Sequence, residues 1–166
     1  MTLPFLRPLI AAILLTGSAL AAGAQDFATY RNERHGFSLS YPAGTFAEGP
    51  SPSADGGVFV SRDGNARLLA GALPNDGGMG LRDYRAFVLK QSYPDAAIDY
   101  APVRDSWFVL SGTRDGMMFY ERVTFTCGGR LINSWAMLYP ATERQVYDRI
   151  VEQVARTYRP GAASCG

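Results

Sequence analysis

Between residues 97 and 139 the chain alternates apolar-rich runs with junctions too short for anything but a tight turn. The runs are 97–103, 107–112, 117–126 and 131–139, and the junctions are Arg104-Asp105, Arg114-Asp115-Gly116 and Gly128-Gly129. Parallel pairing needs a crossover of about a dozen residues or more, whereas antiparallel strands close over a turn of two. Consecutive runs therefore pair as an antiparallel meander.

An earlier pair extends the pattern. Runs 57–61 and 66–73 flank Arg62-Asp63-Gly64-Asn65, and Asp-Gly between apolar runs signals a hairpin because glycine accepts the positive φ of such turns. Phe37-Ser38-Leu39-Ser40-Tyr41 alternates apolar and polar like a half-buried strand and stops at Pro42. Residues 26–36 read as a polar lead-in, and 43–56, rich in Gly, Pro and Ser, as a surface loop. Leu81, Tyr84, Phe87 and Val88 recur at helical spacing and predict an amphipathic helix ending near Ser92-Tyr93-Pro94. After the meander, Thr142 with Gln145 three residues on has the form of a capping box. Tyr147, Ile150, Val151, Val154 and Tyr158 then make an apolar stripe, so a last helix over about 142–156 packs on the sheet. The sum is an α+β domain: a central antiparallel sheet of about six to seven strands with two main helices.

The N-terminus carries an address. Arg7 precedes the apolar run Leu9-Ile10-Ala11-Ala12-Ile13-Leu14-Leu15, and mostly small residues follow to Ala24, the order of a secretory signal. Ala22-Gly23-Ala24 suits a signal peptidase, which places the mature N-terminus near Gln25. The run is shorter than the roughly 20 apolar residues of a membrane-spanning helix, and no cysteine follows it to carry a lipid. The expectation is a signal peptide over 1–24 and one domain over 25–166, periplasmic or secreted, without stable membrane insertion after cleavage. Of the 16 Lys and Arg residues the leader removes Arg7 and no acid, leaving the rest balanced against 15 Asp and Glu. With the basic residues scattered along the chain, no nucleic-acid partner is expected.

Cys127 and Cys165, the two cysteines, read as a disulfide in an oxidising compartment. The chain path allows it: a strand leaving Gly129 travels about 33 Å, the last helix returns roughly 22 Å, and the tail spans the remaining ~11 Å. Closing a loop of this length stabilises by about 4 kcal/mol through loop entropy.

Catalytic constellations are sparse. His35 is the one histidine, so any Ser-His-Asp or Cys-His arrangement must use it. Between Arg34 and Gly36 it is expected to be a solvated turn residue. No nucleophile elbow occurs after the leader, and one histidine without clustered thiolates does not predict a zinc site. Gly77-Gly78-Met79-Gly80 lies between a strand and a helix, yet Asp83 stands where a dinucleotide fingerprint needs its third glycine, so ordinary turn chemistry is expected. Asp95, Asp99, Asp105 and Asp115 sit in or beside turns. Glu121 differs, since it alternates in phase with Phe119, Val123 and Phe125 on one strand face while Arg122 faces the other way. It needs a partner from another strand, and structural pairing is the expectation. Trp135, in phase with Leu131, Met137 and Tyr139, is expected in the core.

Tyr30-Arg31-Asn32-Glu33-Arg34-His35-Gly36-Phe37-Ser38-Leu39-Ser40-Tyr41-Pro42 resembles the opening of PsbP-like domains. The similarity continues in outline through a hairpin, a helix with Tyr84 and Phe87, a four-strand meander and a C-terminal helix after Tyr139-Pro140. The resemblance implies an α/β/α sandwich around an antiparallel sheet and a non-enzymatic binding role. Known members include a photosystem subunit, a nuclear-import factor and bacterial envelope lipoproteins. It carries over no catalytic, metal or cofactor residue. The expectation is an exported, non-enzymatic domain binding an envelope protein or a small ligand. The alternatives are a hydrolase using Glu121 with Asp99 or Asp105, and a structural envelope component.

Overall fold

The structure, a computed structural model, describes residues 26–51 and 53–165. The leader expected over 1–24 lies outside them.

The N-terminal strands β1 (Phe27–Arg31) and β2 (Ser38–Pro42) form an antiparallel two-stranded ribbon of their own. The remaining strands are β3 (Phe46–Glu48), β4 (Gly56–Ser61), β5 (Arg67–Pro74), β6 (Ala97–Tyr100), β7 (Trp107–Arg114), β8 (Met117–Thr126) and β9 (Leu131–Pro140). They make one seven-stranded sheet in the order β3-β4-β5-β9-β8-β7-β6, antiparallel throughout. Helix α1 (Leu81–Ser92) connects β5 to β6, and α2 (Arg144–Thr157) follows β9. Left-handed residues close the meander: Asp115 and Gly116 between β7 and β8, and Cys127, Gly128 and Gly129 between β8 and β9.

Alternation along the strands sorts the side chains onto two faces. Toward α2 point Leu68, Ala70 and Ala72 of β5 and Trp135, Met137 and Tyr139 of β9. They are packed by Tyr147, Ile150, Val151 and Val154 of α2 and by Leu39 and Tyr41 of the ribbon. On the opposite face Val88 of α1 and Tyr93 just beyond it pack on Phe108, Leu110, Phe119, Val123 and Ile132. The layers are those of an α/β/α sandwich. The α2 face is covered by helix and ribbon together, whereas α1 covers only β7, β8 and one end of β9.

Several local expectations shift. The polar lead-in contains β1, whose partner is β2, and the 43–56 loop contains β3, because backbone pairing with an existing edge requires no apolar alternation. Strand β6 ends at Tyr100, short of residue 103, at a register shift between Ile98 and Tyr100. The capping box at Thr142 and Gln145 does not form. Pro140 leads the strand directly into a 3₁₀ turn over Ala141–Glu143, so Thr142 lies within that turn and Glu143 occupies the cap position without a side-chain bond.

Candidate functional site

The half of the α1 face that α1 leaves bare forms a groove of about 440 Å³. Two cross-strand rows make its floor. One runs Val58, Leu69, Ala136, Glu121; the other Gly56, Gly71, Ser134. Leu138 extends the apolar surface, Ser92 and Tyr93 at the end of α1 form one wall, and Ser51 and Ser53 lie on the opposite rim. The floor is low because glycine, alanine and serine stand where central strands ordinarily carry large residues. At Gly56 the neighbouring backbone dictates the choice, since a Cβ would lie 2.4 Å from the Ala70 carbonyl oxygen. At Gly71 it does not. A Cβ there would meet nothing nearer than the Asp55 carbonyl oxygen at 3.5 Å, an ordinary contact.

Glu121 is the acid of this groove. Its strand neighbours in the row are Leu110 and Ala136, neither of which can pair with it. The Tyr93 phenol stands beside the carboxylate, and Tyr93 is itself fixed by stacking on Phe119 with ring centroids 4.0 Å apart. Glu121 keeps part of its surface open to the groove, yet its carboxyl lies deep among protein atoms. This desolvation raises its pKa, with the neighbouring Tyr93 phenol pulling partly the other way. Burial first, and then the negative charge of Glu121, drive the Tyr93 phenol far above its ordinary range. Structural pairing with a charged partner from another strand is the sequence expectation for Glu121, and it is not what the fold supplies. Among the described residues Glu121 belongs to no ion pair. Arg122 lies on the other face with its guanidinium 4.7 Å from the Trp107 ring centroid.

The other acids stay apart. Asp99 lies on edge strand β6, Asp105 beside Arg82 and Asp83 in a separate depression, and the lining around Glu121 contains no second carboxylate. Asp95 and Asp115 hold left-handed turn positions. The 77–80 loop is tied internally: Asn75 accepts from the Met79 amide at 3.0 Å and donates to the Met79 and Gly129 carbonyls at 3.0 and 2.8 Å. No group of three or more metal-ligating side chains occurs among the described residues.

His35 departs from the expectation of a solvated turn. It is 2% exposed, with Nε2 2.8 Å from Asp55 Oδ1 and Nδ1 3.0 Å from Ser164 Oγ. An ionised Asp55 only accepts, so Nε2 carries a proton and in the neutral ring Nδ1 accepts from Ser164. Serine, histidine and aspartate thus meet, but on a buried ring that locks the C-terminal tail. The Ala163 amide donates to the His35 carbonyl, and Gly161 passes so close that a Cβ would lie 2.2 Å from that oxygen. Asn133, fully buried, accepts from the Gly161 amide at 2.8 Å. Cys127 and Cys165 are joined by a disulfide, Cα atoms 5.3 Å apart, which fixes the same tail. His35 was missed as a buried residue because its partners lie 20 and 129 positions away in sequence.

Tyr93, Gly71, Ser134 and Ala136 were not singled out in the sequence. The available signal was on β9, where Ser134 and Ala136 alternate with Trp135 and Met137, an unusually small face for a strand flanked on both sides.

No family model matches the chain, and no curated protein matches it. Solved structures do. PsbP from Synechocystis sp. PCC 6803 superposes with a TM-score of 0.61 at 18% identity, over 87% of this chain and 98% of that one. The Ran-binding protein Mog1p of Saccharomyces cerevisiae gives 0.60 at 10% identity, over 86% and 99%. Such identities speak to architecture alone. The seven-stranded sheet, its ribbon and its two helices are therefore those of the PsbP-like fold.

Proposed function

We propose that this chain is an exported, non-enzymatic domain that binds a small ligand in the groove beside α1. The observation that carries the reading is Gly71: the floor is lower there than packing requires, which leaves a concave, mostly apolar site with one half-buried acid. A hydrolytic role needs a second carboxylate converging on Glu121, and the lining supplies none. A binding role accords with the fold neighbour Mog1p, a Ran-binding protein. Export is supported by the leader pattern and by the disulfide, since disulfides persist in oxidising compartments. No described helix is long and apolar enough to cross a membrane.

Native mass spectrometry of protein recovered from the periplasm tests both halves of this proposal. The mature N-terminus is expected near Gln25, with a small-molecule adduct on the wild type. Gly71→Val, which suits a strand and fills the groove, should lose the adduct while keeping the wild-type unfolding midpoint. An adduct indifferent to Gly71→Val would move the site elsewhere, and protein retained with its leader in the cytoplasm would end the export reading.

A further inference from the structure

We infer that the groove takes an apolar small molecule carrying a protonated amine, its ammonium against Glu121 and its carbon body along Val58, Leu69, Gly71 and Ala136. The inference rests on the groove being the ligand site. Its basis is charge complementarity. The lining holds one carboxylate and no Arg, Lys or His. An anionic ligand would meet Glu121 with nothing to neutralise either charge, and a purely apolar one would cover the carboxylate without replacing its water.

Several charged and polar groups around the groove are committed elsewhere. The Arg114 charge reaches Tyr93, but its Nη1 donates to the Ser92 carbonyl at 3.0 Å and its Nε lies 3.5 Å from Asp115. On the rim, the Ser51 hydroxyl lies 2.8 Å and 2.6 Å from the Ser53 and Gly56 carbonyls, and the Ser53 hydroxyl accepts from the Asp55 amide. The carboxylate offers about four acceptor sites, and the Tyr93 phenol stands beside it. An ammonium brings three donors and the missing positive charge to the remaining sites. The volume of about 440 Å³ falls in the range of small-molecule sites and is too small for a folded partner.

Amide chemical-shift titration of the ¹⁵N-labelled protein with n-hexylammonium, hexanoate and hexanol decides the matter, because the three probes share one carbon chain and differ in charge. Hexylammonium is expected to shift the Gly71, Ser134 and Ala136 amides saturably. Hexanoate should bind about tenfold more weakly or worse, the difference expected of one charge-assisted hydrogen bond. Glu121→Gln should erase that preference, and Gly71→Val should abolish the shifts whether or not the Gln variant folds. Hexanoate or hexanol binding as well as hexylammonium at these amides overturns the amine and leaves the groove standing. If no probe moves them, both fall.

Discussion

On β9 the residues facing α2 are Leu131, Asn133, Trp135, Met137 and Tyr139, all buried, while those facing away are Ile132, Ser134, Ala136 and Leu138, of which only Ile132 is. The same strand therefore belongs to two different surfaces. Its α2 face is filled with aromatic and long aliphatic side chains, sealed by a helix and a ribbon, and anchored through Asn133 to a tail that a disulfide holds. Its other face is lined with small side chains and ends at a carboxylate without a cation. Around the middle of β9, packing is concentrated on one side of the sheet, and room is kept on the other.

Adjacent substitutions give the largest test of that contrast. Trp135→Ala empties the centre of the α2 core and should cost about 3–5 kcal/mol. Ser134→Ala, one residue earlier on the open face, should stay within about 0.5 kcal/mol. Urea unfolding of the pair measures the difference, and similar midpoint shifts would show that the two faces are energetically alike.

The tail comes next. Replacing Cys127 and Cys165 together by serine frees a tail otherwise closed over a sequence separation of 38, and should remove about 2–4 kcal/mol. Because the disulfide holds the tail against His35 and Asn133, neither of which lines the groove, thermal unfolding should move while hexylammonium affinity stays near that of wild type. A parallel loss of binding would mean that the tail supports the open face as well.

The contrast was only half visible in the sequence. The meander, the hairpin around Asp63-Gly64 and the stripe Tyr147, Ile150, Val151, Val154 rest on local periodicity, which a sequence displays directly. The α2 core follows from it, Trp135 included. The groove depends on cross-strand registry, because Leu69, Ala136 and Glu121 become neighbours only once β5, β9 and β8 pair. Glu121 stood out by its phase on an apolar strand face, but its lack of a charged partner is decided by registry, which sets Leu110 and Ala136 beside it. His35 was legible as a lone titratable residue and not as a buried one, since its burial is made by Asp55 and by a tail that arrives from the far end of the chain.

Acid should act on the tail before it acts on the sheet. The hydrogen bond from His35, assisted by the Arg34 charge 3.1 Å away, holds the Asp55 carboxyl below its ordinary range. A depressed carboxylate contributes stability that is present above the unfolded value of about 3.9 and is lost as pH falls through the folded one. Hydrogen exchange at the Ala163 amide, which donates to the His35 carbonyl, should accelerate below about pH 4. Asp55→Asn should bring that acceleration to neutral pH. An Ala163 amide equally protected across the range would detach Asp55 from the lock.

Glu121 has the opposite sign. Its folded pKa is raised, chiefly by burial, so its contribution is complete below the ordinary glutamate value of about 4.3 and declines as pH rises through the folded value. Tyr84 and Tyr93 are the titratable side chains of the α1 segment whose pKa values Glu121 raises. Both stay neutral well past that range, so the decline belongs to Glu121. The wild type should lose stability relative to Glu121→Gln on going from mildly acidic to neutral pH, visible as urea midpoints that separate with pH and favour the variant at neutrality. Hexylammonium should close the gap by favouring the ionised carboxylate in the folded state, an effect absent in the variant. A pH-independent difference would mean that Glu121 ionises as easily in the groove as in water, and the open face would then carry no strain that a ligand could relieve.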